Sequence, residues 1–554
     1  MEASVNPLRT SAILSLHSLQ DRTARASLLR ELGTMASLPA PIAEEQIRDV
    51  VNFENALYRL IRFDKRWFFA HAGQIEAVEF ARDIQVLHSA AAKALNSLVV
   101  RRGEWSRNDD DPLLQRLIGF ALYHFGAAGK WCFLRHETLR STAWPPLHAL
   151  YRLAEQAGIA TYPMRLFDDE GGHRTTLQAL YLRALVLDVL NTGSLSMAQV
   201  EIADGWLADW ATGYTLDTDY SPDTHTLFVD LDAAAGMQIA TGNADGPSWR
   251  YLRIDRLKDQ VEAVRAELRA GRSFHGRGVP NTFPVEEQVG LLNTIERLYQ
   301  TLLQASASRI EERTQVANLI AEVRLGFEAV RRAIAGEHTL PPETDTVAVA
   351  MAPPMKFGGI ELTLAPTSSP NRAEDAFGTV GNDRPGESRW EIRDMSSRGV
   401  GLVVSRKRGE QISIGESIAV KPEGFAHWMM GVIVRKITSR TADEVLLGVE
   451  ILSLRPLPVL LARFAHSADA EPDPALTPIA AIYLPGRDTD GAGDILVLPA
   501  GDFGLKTVFS LATRAARFRV RINRVLRKGS DWIGLHFEAI GRKEWPAADS
   551  RSHR

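Results

Sequence analysis

Six residues, Asp394-Met395-Ser396-Ser397-Arg398-Gly399, follow one short apolar run and precede another, Val400-Gly401-Leu402-Val403-Val404. Their types suit recognition rather than bond breaking. A carboxylate such as Asp394 accepts from paired N–H donors, Ser396 donates or accepts locally, and Gly399 lets backbone approach a ligand closely. Asp, Ser and Gly are also the residues of an ordinary tight turn, which is the plainer reading of the same stretch. Upstream stands Arg309-Ile310-Glu311-Glu312-Arg313. An arginine fork can donate two parallel hydrogen bonds to a phosphate or to guanine O6 and N7, and it stacks on purine faces as lysine does poorly. The plainer reading of Arg309 and Arg313 is a solvated helix face beside Glu311 and Glu312.

A second arginine pair competes. Arg389 and Arg393 have the same spacing and abut Asp394, but both fall on the polar face of the strand that would carry it. Arg398 inside the six-residue segment is a further candidate. The spacing alone discriminates little, because Arg265 with Arg269 and Arg517 with Arg521 repeat it. Position relative to the surrounding strands is what gives a pair meaning.

Those strands are legible as short runs of period two. From about Val316, Leu319, Ala321, Val323 and Leu325 alternate with Ile320, Glu322 and Arg324. Trp390–Ile392, Val400–Val404, Ile412–Ile414, Ser417–Lys421, Gly431–Ile437 and Val445–Ile451 then follow in quick succession, separated by glycines and charged turns. That succession predicts a small antiparallel barrel, with Trp390 in its core. Residues 337–388 are irregular and rich in Pro, Gly and Ser; they read as an insertion or disordered excursion.

A linker rich in Pro, Ala and acid runs from Ala468 to Thr477, and the strand pattern then returns through Ile482–Leu484, Ile495–Leu498, Val508–Leu511, Arg517–Val525 and Ile533–Phe537. The two regions end alike. Leu447-Gly448-Val449-Glu450-Ile451 closes the first and Ile533-Gly534-Leu535-His536-Phe537-Glu538 the second, each after a basic strand. The echo predicts a duplicated barrel.

The frame D-x-S-x-x-G between two strands, the closing Gly-Val-Glu, and the turn Gly415-Glu416-Ser417-Ile418 together resemble the PilZ family over about residues 305–460. In that family the motif works with an upstream R-x-x-x-R at the mouth of the barrel. The resemblance implies a receptor for cyclic di-GMP, with Arg309, Arg313, Asp394, Ser396 and Gly399 as ligand-binding residues. Arg389, Arg393 and Arg398 are additional candidates. It also implies regulation of motility, type IV pili, adhesion or biofilm. PilZ folds that bind no nucleotide exist, so a structural interaction scaffold is the alternative. One departure stands out: Arg313 and Asp394 are 81 positions apart (394 − 313), farther than is usual in the family. An insertion between strands accounts for it at little entropic cost.

The remaining sequence narrows the function classes. The chain has 554 residues, 45% hydrophobic and 24% charged, with net charge −4, which argues against broad binding to nucleic acid or anionic lipid. Its single cysteine, Cys132, rules out an internal disulfide and points to a reducing compartment, hence the cytoplasm. No run of about twenty apolar residues predicts a membrane span. Gly126-Ala127-Ala128-Gly129-Lys130 has only a superficial likeness to a phosphate loop and reads as helix packing. Asp217, Asp219 and Asp223 lack the glycine and glutamate of a calcium loop. His71, His88, His124, His136 and His148 are scattered over helices without metal-ligand spacing, and Arg517, Arg519 and Arg521 form the solvated face of a strand. No metal, catalytic cofactor or enzymatic activity is expected.

The expected fold class is therefore α+β and multidomain: a helical N-terminal module followed by a PilZ-like antiparallel β-barrel and a second small β-domain. Residues 1–270 would form a mostly helical partner or effector module, 271–304 a helical linker, and 305–460 the barrel with its insertion 337–388. Residues 478–545 would form the second domain, a degenerate copy, and 546–554 a disordered tail. Clamping of the nucleotide at the barrel entry is expected to reorient the helical module toward a protein partner.

Overall fold

The computed structural model describes residues 16–38, 44–72, 74–101, 112–168, 173–190, 193–221, 224–240, 246–253, 255–273, 283–303, 314–337, 355–357, 360–362, 387–396, 398–439, 442–463, 479–485, 494–501, 507–512 and 516–544. The chain divides into two compact units, Met1–Arg309 and Ile310–Arg554.

The first unit is built on helices α1 (Arg22–Ala36), α2 (Glu44–Ala70), α3 (Ile75–Arg101), α4 (Pro112–Phe133), α5 (Trp144–Gln156), α6 (Leu177–Leu190) and α7 (Met197–Trp210). Their ends carry local signals. Asp21 caps α1 by accepting from the Thr23 amide, Pro112 occupies the first turn of α4, and Ser196 with Gln199 forms a reciprocal capping box on α7. Helix α4 is buried along most of its length, from Leu114 to Phe133, as a helix apolar all round must be. The Gly-Ala-rich stretch lies within it: Gly126 sits against Ala184 of α6, where an added Cβ would come within 3.3 Å of the Ala184 Cβ. Helix packing by small residues is thus its role, as the sequence suggests. Cys132 is buried in the same helix.

The helical expectation for residues 1–270 needs one addition. Strands β1 (Leu216–Asp217), β2 (His225–Asp230), β3 (Gln238–Ile239) and β4 (Trp249–Arg253) form an antiparallel sheet in the order β1-β4-β2-β3. Two of these strands have only two residues, too short for a period to be read, and cross-strand stacking of Phe228 on Trp249 supplies what periodicity does not. Helices α8 (Asp255–Arg269) and α9 (Val285–Leu303) complete the unit.

The second unit holds two closed antiparallel barrels of six strands each. The first uses β5 (Thr314–Leu325), β8 (Glu387–Met395), β9 (Gly399–Ser405), β10 (Ser417–Pro422), β11 (Met429–Thr438) and β12 (Glu444–Ser453). Outside it lie the hairpin β6 (Met355–Phe357) and β7 (Ile360–Leu362), helix α10 (Phe327–Glu337) and the short helix α11 (Arg406–Gly409). The second barrel uses β13 (Leu457–Arg463), β14 (Ile479–Leu484), β15 (Ile495–Pro499), β16 (Val508–Ala512), β17 (Ala516–Lys528) and β18 (Trp532–Glu544).

With the strands of each barrel taken in chain order as first to sixth, both close in the same circuit: first, second, third, sixth, fifth, fourth, and back to first. The duplication suggested by the echoing strand ends is therefore a duplication of topology. The bulges match as well. The fifth–sixth strand pairing shifts register between Ile433 and Arg435 in one barrel and between Ile522 and Arg524 in the other.

Each barrel interior is filled by the expected alternating residues. Ala321, Val323, Trp390, Ile392, Leu402, Val449 and Ile451 share the first core, and Leu461, Leu496, Phe509, Val520 and Leu535 share the second. Ile412–Ile414, read as a strand, is instead a turn. Ile412 is buried in the first core while its carbonyl accepts from the Lys436 ammonium at 2.8 Å, so one apolar plug mimicked strand alternation.

A further cluster joins the barrels. Phe327, Val330 and Ile334 of α10 pack on Ala419, Trp428, Met430 and Val432 of the first barrel and on Ile482, Leu484, Val497 and Trp532 of the second. Burying such side chains is worth about 1.5–3 kcal/mol each, so the barrels are held as one body. Asp531 adds polar stitching: its carboxylate accepts from the Ser417 amide at 2.9 Å, the Ser417 hydroxyl at 2.6 Å and the Phe327 amide at 2.5 Å. The last of these caps α10 from the opposite barrel.

Candidate functional site

Asp394 lies near the end of β8, where its Cα partners are Gln315 in β5 and Gly401 in β9. Its half-buried carboxyl folds back over residue 401, where an added Cβ would lie 2.8 Å from all three carboxyl atoms. Gly401 therefore creates the space that the carboxylate fills. One step further, Met395 pairs with Val400, and the hairpin closes through Ser396: its amide donates to the Gly399 carbonyl at 2.8 Å and its hydroxyl to the same oxygen at 3.4 Å. These are the local hydrogen bonds of a tight turn, and they hold Asp394 and Ser396 at one end of the barrel.

The turn is fastened to its neighbour strand. The Arg398 carbonyl accepts from the Ile451 amide at 2.9 Å, and Gly399 is the Cα partner of Glu450. Glu450 in turn pairs with Arg527 of the second barrel at 2.7 Å. Arg398 itself is exposed.

The two arginine pairs are separated by their places in the fold. Arg389 is exposed, has Glu322 as its Cα partner and lies 3.7 Å from the Glu423 carboxylate. It is five residues before Asp394, about 16 Å along a strand rising about 3.3 Å per residue. Arg393 is exposed at the register shift just before Asp394. Arg389 and Arg393 thus occupy different levels of β8, and only Arg393 is beside the turn. Arg309 and Arg313 lie outside the described residues. The residue after Arg313, Thr314, is the Cα partner of Met395, and Gln315 that of Asp394. The 81 positions between Arg313 and Asp394 are thus spanned by direct pairing of β5 with β8, on either side of residues 337–388.

Two of the scattered histidines meet: the Nδ1 atoms of His88 and His124 are 2.7 Å apart, and His124 Nε2 meets Glu54 at 2.5 Å, all three residues buried. Burial, with the nearby His124 and Lys130, pushes the His88 imidazole well below its usual pKa. Spacing of 36 residues between two helices carries no sequence signal for such a contact. Among the described residues no group of three His, Cys, Asp or Glu is placed to hold a metal ion, and no helix is long and apolar enough to cross a membrane. Arg519 and Arg521 alternate with buried Val520 and Ile522, as expected of an amphipathic strand.

Residues 12–221 match the family model for the N-terminal domain of the cyclic-di-GMP receptor FimW. The match falls in the helical unit, whereas the D-x-S-x-x-G resemblance falls in the first barrel. No significant match is found among curated proteins or among solved structures.

Proposed function

We propose that this chain is a cytoplasmic cyclic di-GMP receptor, not a catalyst, and that it takes its ligand at the mouth of the first barrel in the manner of the PilZ family. In this reading Arg309 and Arg313 clamp the phosphates or guanine edges, Asp394 accepts from a guanine Watson–Crick edge, and Ser396 and Gly399 shape the turn. Arg393 and Arg398 border the same turn as additional contacts, while Arg389 stands apart from it. The observation that carries the reading is the pairing of Thr314 with Met395, because it brings the strand following R-x-x-x-R beside the strand bearing D-x-S-x-x-G. In this reading both motifs would serve one end of one barrel despite their distance in sequence.

The similarity of residues 12–221 to the N-terminal domain of a cyclic-di-GMP receptor supports the ligand class independently. In sequence Arg309 and Arg313 fall between the helices of the first unit and the first strand of the barrel, so in this reading ligand contacts there would act on the segment that links them. A ligand biases two arrangements only by its difference in affinity for them. The helical module would pass that bias to a protein partner controlling motility, pili, adhesion or biofilm.

The second barrel supports this division of labour. Its second and third strands, β14 and β15, are joined by Pro485-Gly486-Arg487-Asp488-Thr489-Asp490-Gly491-Ala492-Gly493-Asp494, which lacks D-x-S-x-x-G. It serves as a structural copy that buttresses the first.

The test is calorimetric titration of the full chain with cyclic di-GMP beside an Arg309→Ala, Arg313→Ala double variant. Saturable binding lost in the folded double variant is the expected result. Absence of binding by the folded wild-type chain would leave a scaffold that has a PilZ-like barrel without its ligand.

A further inference from the structure

Glu54 of α2, His124 of α4 and His88 of α3 form a buried chain of polar side chains. The Glu54 carboxyl meets His124 Nε2 at 2.5 Å, and the Nδ1 atoms of His124 and His88 are 2.7 Å apart. Glu54 is 0% exposed, and His88 and His124 are each 1% exposed. The chain ends at a cavity of about 370 Å³, in the lower part of the range of small-molecule sites. Of the three residues only His88 lines it.

Burial decides where the hydrogens lie. Two ring nitrogens in contact need one hydrogen between them. Glu54 Oε1 is enclosed without a hydrogen-bond partner, so a bare carboxylate beside a neutral His124 would be an uncompensated buried charge. Either Glu54 is protonated and donates to His124 Nε2, or His124 is an imidazolium and donates from Nε2 to Glu54. Both arrangements put a hydrogen on His124 Nδ1, which donates to His88 Nδ1. His88 itself is neutral, because burial holds its imidazole well below the usual pKa. A neutral imidazole that accepts at Nδ1 carries its own hydrogen on Nε2. That N–H has no hydrogen-bond partner among the described residues and is not enclosed by them, so it is presented to the cavity.

The charged groups buried in and behind the same wall bond to one another. The Lys130 ammonium lies 2.8 Å from Asp204 and 3.2 Å from Glu201, Lys65 pairs with Glu201, and Arg183 donates two parallel bonds to Asp204 at 2.6 and 2.7 Å. Arg62 and His173 also line the cavity, from exposed positions. Much of the remaining lining is apolar or aromatic, including Leu122, Trp131, Leu180 and Leu187.

We infer that this cavity binds an uncharged, flat ligand whose carbonyl accepts from His88 Nε2–H, with Glu54 and His124 as positioning residues that fix the His88 tautomer. A neutral donor in a largely apolar wall favours a neutral acceptor, which enters without the desolvation cost of an ion. The chain and the cavity lining fall within the segment matched to the receptor's N-terminal domain, so the helical unit would read a ligand of its own.

Benzamide is the probe, a flat ring bearing one carbonyl. Calorimetric titration of the full chain is expected to show saturable binding of benzamide. It should be about tenfold or more tighter than binding of aniline, which has no carbonyl, or of benzoate, which is an anion. His88→Phe should weaken benzamide by about tenfold or more, and His88→Asn, whose amide can donate, should recover part of the loss. The Arg309→Ala, Arg313→Ala variant should bind benzamide as the wild type does, which separates this site from the barrel. Nitrogen-15 NMR of the histidine rings reads the tautomer directly in the unaltered protein, and His88 should carry its hydrogen on Nε2. A His88 hydrogen on Nδ1, no saturation by benzamide at millimolar concentration, or unchanged affinity in a folded His88→Phe variant would each overturn the assignment. So would a preference for aniline or benzoate, or loss of benzamide binding in the barrel variant.

Discussion

The Asp394 carboxyl fills the place that a side chain at residue 401 would take, 2.8 Å from where the Cβ would stand. Glycine at 401 is therefore part of the candidate site without contacting any ligand. The clashing atoms are the far end of a flexible side chain, so Gly401→Ala should turn the carboxyl away at little cost to the fold. The expected result is a loss of cyclic di-GMP affinity of about tenfold or more with a stability change within about 1 kcal/mol. Calorimetry and thermal melting on the same preparation check both halves. Unchanged affinity would remove Asp394 from the site.

The two arginine pairs should behave unequally. Arg309→Ala with Arg313→Ala should abolish binding, whereas Arg389→Ala should leave it within about twofold, because Arg389 lies about 16 Å along β8 from Asp394. Arg393→Ala, beside the turn, should fall between these limits. Titration of the three variants ranks them, and a greater loss for Arg389→Ala than for the upstream pair would reverse the assignment.

Asp531 predicts how firmly the barrels are joined. Asp531→Ala strips the Ser417 and Phe327 amides of their acceptor at the end of α10. Leaving such donors without a partner costs about 1–3 kcal/mol each. A lowered urea midpoint for the second unit is expected, and Asp531→Asn should recover part of the loss. A fragment ending at residue 460 would divide β13 and bare the apolar cluster around α10, so ligand titrations belong on the full chain.

Asp188, on α6, is a pH-dependent liability in the helical unit. Burial raises its carboxyl pKa from 3.8 to about 6. The folded state therefore holds its proton more tightly than the unfolded chain. That contribution is complete below pH about 4 and is lost as pH rises through about 6. Asp188→Asn, which does not titrate, should leave stability unchanged near pH 4 and raise it at pH 7. The gain should be about 1–2 kcal/mol, kept below the full value of the shift because the side chain is only partly buried. Urea melts of both proteins at the two pH values measure it.

Much of the architecture follows from local pattern. Strands β9, β11, β12 and β17 lie where apolar spacing predicts them, because burial on one face imposes a period that survives in the sequence. The turn holding Asp394, Ser396 and Gly399 is legible for the same reason: its chemistry and its backbone demands fall within six consecutive residues. What the sequence determined by itself was thus most strands of the two barrels, the barrel character of the C-terminal half and one contiguous motif.

Tertiary structure decided which distant pieces meet. Pairing of Thr314 with Met395 across residues 337–388, Asp531 capping α10, and three cations from α2, α4 and α6 around Glu201 and Asp204 all join residues far apart in the chain. Nothing in a local period encodes such partners. They follow from strand register, barrel closure and the packing of helix faces, which are properties of the assembled chain alone.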